Sequence, residues 1–351
     1  MLTPASQMVA AFLALMLALA SPAHGQVVET ITESDDEVEE FELPGDDSAS
    51  APDFAPDPAP VFSEPARADH RMASPGLYSA EPDVARCQPG TLSNDARASF
   101  VKAVNAERAR HGLAPVVYDA AWDQEEAAAA LIMAANLSLS HAPPSSWRCW
   151  TASGARAAGS SNLLLNTASG ISTPADDAEL VAQWMIEGDG DELGHRRWIL
   201  DPYLTRTALG RVAQVLPDGS SIDSAAMKVF DFSGDDPSPA YWPEFIAWPQ
   251  GVYPSNQFSP AARMSFTVVT GRRGTGDAAA VDFSRAQVSI SDGGSPLAVS
   301  AIVYDNEDYG VANCLSWRVS GLQTGRRYDV TISGVRGAPR ERYSYTFTIA
   351  G

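Results

Sequence analysis

The sequence predicts two folded regions, an α+β domain followed by an all-β sandwich. The first prediction depends on helical segments with apolar stripes that precede two strand-like runs joined by a turn at Pro217–Gly219. The second depends on short alternating runs of apolar and polar residues, from MSFTVV to YSYTFTI, separated by turn residues. A length of 351 residues is enough for two ordinary domains.

The chain before the first domain is predicted to be a signal and a tether. The apolar run Met8–Ala20 is too short to cross a bilayer, and small residues follow it, as in a secretory signal peptide over 1–25. Residues 26–86 are acidic and proline-rich, which predicts a disordered linker. We therefore expect a secreted protein, extracellular or periplasmic, with no transmembrane segment in the mature chain.

Charge and cysteine content restrict the partners and the chemistry. A formal net charge of −20 repels phosphate backbones, so nucleic acid is not an expected partner. Cys87 and Cys149 flank one predicted domain and can pair in an oxidising compartment, whereas Cys314 is predicted to be a buried free thiol. The sequence has no CxxC spacing, which argues against a zinc knuckle or a redox motif.

Capping residues predict the helices of the first domain, which we assign to 87–240. Ser93 can cap a helix that ends at His111, and His111 is interpreted there as an exposed cation at the carboxyl end of the helix. Asp119 can cap an alanine-rich helix, and a third helix is predicted from Pro174 to about Glu187, with Asp176 and Asp177 as acids at its amino end. The domain is therefore expected to set helices against a small antiparallel sheet.

The second domain is assigned to 259–351, after an extended aromatic and proline-rich connector over 241–258. Leu322, Gly325 and Tyr328 have the spacing of a tyrosine corner, in which the hydroxyl is tied back to the connecting backbone. This favours an immunoglobulin-like or fibronectin-like module. The region contains no histidine and no catalytic motif, so binding or spacing is its expected role.

Two histidines of the first domain lie next to tight-turn residues, His141 in LSHAPP and His195 in LGHRRW. Boundary positions of this kind present side chains in clefts. Two imidazoles can bind zinc, and Glu187 is the natural third ligand, although the spacing is not that of an HExxH motif. Two structural histidines, hydrogen-bonded at helix ends, remain the alternative. Arg196 and Arg197 are expected to pair with nearby acids in the sequence, namely Glu187, Asp189, Asp191 and Glu192.

The order of six motifs resembles the CAP superfamily, a secreted group that includes plant pathogenesis-related proteins, venom allergens and cysteine-rich secretory proteins. The motifs are NAERARHGLAPVVYD, LSHAPP, GSSNL, WMIE, GHRRWIL and TALGRV, and the resemblance covers roughly Ser93 to Phe232. The GHRRWILDP form is similar to the bacterial members. The resemblance implies an α-β-α sandwich with a cleft of two histidines and two acids that can hold a divalent metal.

Motif by motif, the resemblance assigns His141, Glu187 and His195 to the cleft, and it places Ser161 where the family usually has a glutamate. A second carboxylate would have been the obvious general base, so its loss argues against hydrolysis. We therefore predict a non-enzymatic binding protein whose cleft also includes Asn162.

The expected ligand is a small apolar molecule or an extracellular protein, with an optional divalent metal such as zinc at His141 and His195. Two alternatives stay open. One is a metal-dependent, peptidase-like hydrolase that uses Glu187 and His195. The other is a cell-envelope adhesion scaffold whose function lies in the sandwich.

Overall fold

The structure is a computed structural model that describes residues 76–187, 193–232, 237, 242–271, 273 and 276–351. The signal peptide predicted over 1–25 and the predicted linker as far as residue 75 lie outside the described residues. Within the described residues no helix combines the length and the apolar character needed to cross a bilayer.

The first domain has a three-stranded antiparallel sheet between two layers of helices. The helices are α1 (Asn94–Arg110), α2 (Asp123–Asn136), α3 (Ala152–Ala158), α4 (Asp177–Ile186) and α5 (Gly194–Ile199). The strands are β1 (Tyr78–Ala80), β2 (Thr91–Leu92), β3 (Val117–Tyr118), β4 (Ser161–Ala168), β5 (Arg206–Thr207), β6 (Leu209–Val215) and β7 (Ser221–Lys228). The sheet order is β4-β7-β6, with α2 and α3 packed on one face and α1, α4 and α5 on the other.

The helix start predicted at Ser93 agrees with the structure, whereas the third helix begins at Asp177, after the predicted start at Pro174. The Ser93 hydroxyl accepts from the backbone N–H of Ala96 at 3.1 Å, and Asp176 accepts from Glu179 at 2.8 Å. Asp119 caps a short 3₁₀ turn, and α2 begins directly after it. The short helices α3 and α5 had no such prediction.

The ordered domain begins upstream of the boundary that we placed at residue 87. Strand β1 pairs with β2, and the Tyr78 hydroxyl accepts from the backbone N–H of Ala213 at 2.8 Å. Val84 is buried. Residues 76–86 are therefore part of the fold, because their few apolar side chains reach the sheet. Cys87 and Cys149, which the sequence allows to pair, form a disulfide.

The second domain consists of two facing sheets. Its strands are β8 (Phe245–Trp248), β9 (Gly251–Pro254), β10 (Met264–Val268), β11 (Gln287–Asp292), β12 (Ser295–Pro296), β13 (Ala298–Asp305), β14 (Cys314–Ser320), β15 (Arg327–Ser333) and β16 (Arg342–Ala350). One sheet has the order β13-β14-β10-β8 and the other β12-β11-β15-β16-β9. Cys314 is buried and free, as predicted.

The predicted connector over 241–258 differs from the structure. Strand β8 pairs with β10 in one sheet, and β9 pairs with β16 in the other, so the sandwich begins before residue 259. Trp248 and Tyr253 are fully buried. Prolines lie between and at the ends of these strands, where no ladder hydrogen bond is lost, and they concealed the strands in the sequence.

The tyrosine corner is formed by Tyr328. Its hydroxyl accepts from the backbone N–H of Gln323 at 2.6 Å and donates to the Gln323 carbonyl oxygen at 3.2 Å. The loop before β15 is thereby tied to the strand, as the spacing of the sequence predicted.

The sheet that contains β10 and β14 lies between the first domain and the second sheet. All five residues of β10 are buried, as expected for a strand covered on both faces. Its apolar residues, such as Phe266, face the sandwich interior, while Ser265 and Thr267 face α5 of the first domain. The two domains therefore share one continuous packed interior.

Candidate ligand cleft

His141 lies in the loop between α2 and α3, against the carboxyl end of α3. Its Nδ1 is 2.8 Å from the carbonyl oxygen of Ala158. Since a carbonyl can only accept, Nδ1 carries the proton in the neutral ring and Nε2 is left as the free nitrogen. A Cβ at Gly159 would approach the His141 carbonyl oxygen to 3.2 Å, so a glycine lets α3 pass close to this histidine.

His195 is the second residue of α5, and its backbone is bonded to a side chain of strand β4. The Asn162 side-chain amide donates to the carbonyl oxygen of His195 at 3.0 Å. Burial lowers the pKa of His195 to about 4. Burial and the nearby His195 lower the pKa of His141, while its bond to Ala158 opposes the shift. The two imidazoles therefore lie within electrostatic range of each other, and both are neutral at pH 7.

Glu187 joins α4 to the segment before α5 and has a left-handed backbone, with φ 51°. Its Oε1 accepts from the backbone N–H of Arg196 at 2.6 Å, and the carboxyl group also bonds the backbone N–H of His195. Burial raises the pKa of Glu187 to about 7, although these bonds oppose the shift. The carboxyl group therefore caps the helix that carries His195.

Ser161 replaces the acid expected on β4, and an acid from another element lies behind it. The Ser161 hydroxyl donates to Oε2 of Glu126 at 2.7 Å. Glu126 comes from α2 and is fully buried, with the ammonium of Lys228 at 4.0 Å from Oε1. Burial raises the pKa of Glu126 to about 8.

Sequence reasoning missed Glu126, because an acid in the first turn of a helix looks like a response to the helix dipole. The helical spacing of the sequence could have indicated that Glu126 faces the sheet. Glu126 lies three and four residues before Ala129 and Ala130, on the stripe of α2 that faces the sheet.

Residues 101–214 match the family model of the cysteine-rich secretory protein family, named CAP. This part of the chain is a CAP domain. The matched stretch includes all the residues predicted for the cleft: His141, Ser161, Asn162, Glu187 and His195. No curated protein matches the chain.

The arginines that follow His195 connect the CAP domain to the sandwich, which differs from the expected pairing with neighbouring acids. Arg196 donates to the carbonyl oxygens of Met185 at 2.6 Å and Arg263 at 2.9 Å. Arg197 donates to Asp305 at 2.8 Å. Each guanidinium group has several N–H donors that point in different directions, so it bonds the acceptors that the fold brings near it. Three of the expected partners, Asp189, Asp191 and Glu192, lie outside the described residues.

His111 is buried at the domain interface, so its interpretation as an exposed helix end is wrong. It is 2% exposed, and its Nε2 lies 2.7 Å from the hydroxyl of Tyr253 in β9. The same hydroxyl bonds Glu107. Tyr253 covers the end of α1 only because the sandwich folds back onto it, and no local pattern around His111 reports this.

Apolar side chains lie near the start of β4 and in the loop before His141, next to residues of the predicted cleft. Trp198 packs on Phe230 at 4.6 Å between ring centroids, and Phe230 packs on Phe232 at 5.4 Å. The backbone N–H of Phe230 donates to the Ser160 carbonyl oxygen, which puts these rings beside the start of β4. Leu137 and Leu139 are exposed in the loop that leads to His141. We call Trp198, Phe230 and Phe232 the aromatic ledge.

The residues of the cleft do not fit a catalytic zinc centre. The Nε2 of His141 is free to coordinate, but the carboxyl group of Glu187 is occupied by backbone N–H groups. The part of the chain that the structure describes contains no cluster of three histidine, cysteine or acidic side chains suited to a metal ion. A catalytic zinc site normally uses three protein ligands.

Proposed function

We propose that this exported CAP-domain protein binds an apolar group in the cleft formed by His141, Ser161, Asn162, Glu187 and His195, without catalysing a reaction. The observation that carries the proposal is the neutral pair of imidazoles beside the aromatic ledge. The apolar group belongs either to a free small molecule or to an extracellular protein, which share the same contact chemistry.

Charge favours an uncharged ligand. With the pKa of His195 near 4 and that of Glu126 near 8, neither side chain carries much charge at pH 7. A charged ligand would lose its hydration, and Glu187, the partly ionised acid of the predicted cleft, is already bonded to backbone N–H groups of α5. An apolar ligand gains about 25 cal/mol for each Å² of apolar surface that it buries on the ledge.

Binding is favoured over hydrolysis because the acids near the cleft are already engaged. Glu187 accepts from backbone N–H groups of α5, and Ser161 donates to Glu126. A general base must reach the proton that it removes, and these bonds occupy the carboxyl groups of Glu187 and Glu126.

A neutral apolar dye, Nile red, tests the proposal by fluorescence titration of the chain from Gln26 onwards. Phe232 is 49% exposed on the ledge, so Phe232→Ser should weaken dye binding by about tenfold. Ile171, 77% exposed, follows the far end of β4, and Ile171→Ser is the matched control that should leave the affinity unchanged. A wild-type protein that does not bind the dye, or ester or peptide turnover that His195→Ala abolishes, would contradict the proposal.

We also propose that the protein is exported, that it comes from a bacterium and that its sandwich is related to immunoglobulin-like domains. The disulfide between Cys87 and Cys149 supports an oxidising compartment. Tyr328 supports the kinship of the sandwich through its corner. If residues 1–25 are a signal peptide, the exported protein should begin at Gln26 on amino-terminal sequencing, and retention of Met1 would contradict export by cleavage.

A further inference from the structure

Helix α5, which carries His195, has little support of its own. It is six residues long, and its amino-terminal flanking residue, Leu193, has a left-handed backbone and provides no side-chain cap. Short helices are marginal in isolation, because nucleation fixes several residues for the first hydrogen bond. Glu187 and Asn162 hold the backbone of the first turn of α5 from within the CAP domain. The orientation of His195 depends also on the side-chain contacts that α5 makes with the sandwich.

Arg196 attaches one side of α5 to the sandwich. Its guanidinium lies 3.8 Å from the ring centroid of Trp248 in β8. It donates to the Arg263 carbonyl oxygen at 2.9 Å and to the Ser265 hydroxyl at 3.2 Å. These contacts come from two neighbouring strands of the sheet that faces the CAP domain.

Arg197 attaches another side of α5 to the loop between β13 and β14. It donates to Asp305 at 2.8 Å and to the carbonyl oxygen of Glu307 at 2.5 Å. The Tyr309 ring lies under its guanidinium at 4.7 Å, and a Cβ on Gly194 would meet this ring at 3.2 Å. The loop thus contacts the residue before His195 and binds the residue two after it.

We propose that Arg197 and Asp305 are positioning residues for His195, through which the sandwich orients one wall of the ligand cleft in the CAP domain. The proposal rests on the proposed function, because it assigns the sandwich a role in that same cleft. The sandwich is then a working part of the binding site.

The chemistry of the pair suits positioning. Arg197 is nearly fully buried, whereas the side chain of Asp305 is 27% exposed. A planar guanidinium donates in fixed directions, so Asp305 and the Glu307 carbonyl oxygen together define its orientation. Binding groups need support within about 0.5 Å of their productive geometry. A small rotation of α5 would therefore move the His195 ring in the cleft.

Two variants of the chain from Gln26 onwards test this inference. Asp305→Asn removes the negative charge of the pair. Arg197→Lys retains the positive charge but loses the planar set of N–H donors of the guanidinium group. The matched control is Asp329→Asn, in an exposed ion pair with Arg327 on strand β15. Three quantities are measured: the Nile red dissociation constant, the ¹H–¹³C NMR signal of the His195 ring and the melting temperature. The ring signal is assigned with His195→Gln.

We expect Asp305→Asn and Arg197→Lys to shift the His195 signal and to weaken dye binding by about three- to tenfold. Asp329→Asn should change neither. A lower melting temperature with an unchanged ring signal and unchanged affinity would overturn the inference, because the pair would then only stabilise the fold. If the wild type does not bind the dye, the proposed function fails, and the ring signal alone decides whether the sandwich positions His195.

Discussion

At the scale of single residues, the carboxyl group of Glu126 is the least expected feature of the CAP domain. It is fully buried between α2 and the sheet, and it accepts from the Ser161 hydroxyl. Burial penalises its charged form and raises its pKa to about 8, against 4.5 in solution. The folded protein therefore holds a proton here that the unfolded chain releases above pH 4.5.

The sign of this linkage gives a prediction. Because the folded pKa is the higher one, the stabilising contribution is complete below pH 4.5 and is lost as the pH rises through 8. Glu126→Gln keeps an acceptor for Ser161 and has no proton to lose. At pH 9 the variant should be more stable than the wild type by roughly 2–4 kcal/mol in urea unfolding, with near equality at pH 5. A constant difference across this range would contradict burial of a protonated carboxyl group.

At the scale of elements, α2 and strand β6 approach so closely that only glycine fits between them. A Cβ at Gly210 would lie 1.9 Å from the carbonyl oxygen of Glu126, which is backbone and has no alternative rotamer. The close approach positions α2 over the sheet, and with it the acid behind Ser161. The strand pairing of β6 with β7 is local and predictable, whereas this helix-to-strand distance is not.

Gly210→Ala should therefore separate α2 from the sheet and destabilise the protein by about 3 kcal/mol or more, measured by chemical unfolding. Gly170 is the matched control, because nothing lies within 4 Å of its Cβ position and its backbone is not left-handed. Gly170→Ala should change the free energy of unfolding by less than about 1 kcal/mol. Equal effects of the two substitutions would show that the approach is looser than described.

At the scale of the whole molecule, the CAP domain and the sandwich share one hydrophobic core. Trp184 and Trp198 of the CAP domain belong to the same cluster of buried residues as Trp248 and Trp317 of the sandwich. Arg196 and Arg197 of the CAP domain also donate to Arg263 and Asp305 of the sandwich. This arrangement differs from two domains joined by a flexible connector, whose interface would be small and polar.

We therefore expect one cooperative unfolding transition in calorimetry rather than two. Trp248→Ala should lower the temperature of that whole transition, with a loss of about 3–5 kcal/mol, because both domains lose a shared contact. Val252 in β9 is largely exposed, and Val252→Ser is the matched control with little effect. A second transition that stays at the wild-type temperature in Trp248→Ala would show that the CAP domain unfolds independently.

Much of the fold was predictable because its signals are local. Ser93 and Asp176 cap their helices through backbone groups three residues away. The β6–β7 hairpin follows from a turn at Pro217–Gly219 between two apolar strands. Motif order predicted the cleft residues, and the sequence did not reveal that Glu187 caps α5. Strand β8 was missed because its neighbouring prolines are typical of a connector.

The sequence by itself determined the helix cap at Ser93, the strand alternation and the kinship with CAP proteins, and it allowed the pairing of Cys87 with Cys149. Only the tertiary structure decided the partners of the buried polar groups. Ser161 meets an acid 35 residues away, Arg197 meets one 108 residues away, and His111 meets Tyr253 across 142 residues. A buried polar side chain must form hydrogen bonds with the groups that the fold brings near it. The hydrophobic periodicity of the sequence does not predict which distant residue provides those groups.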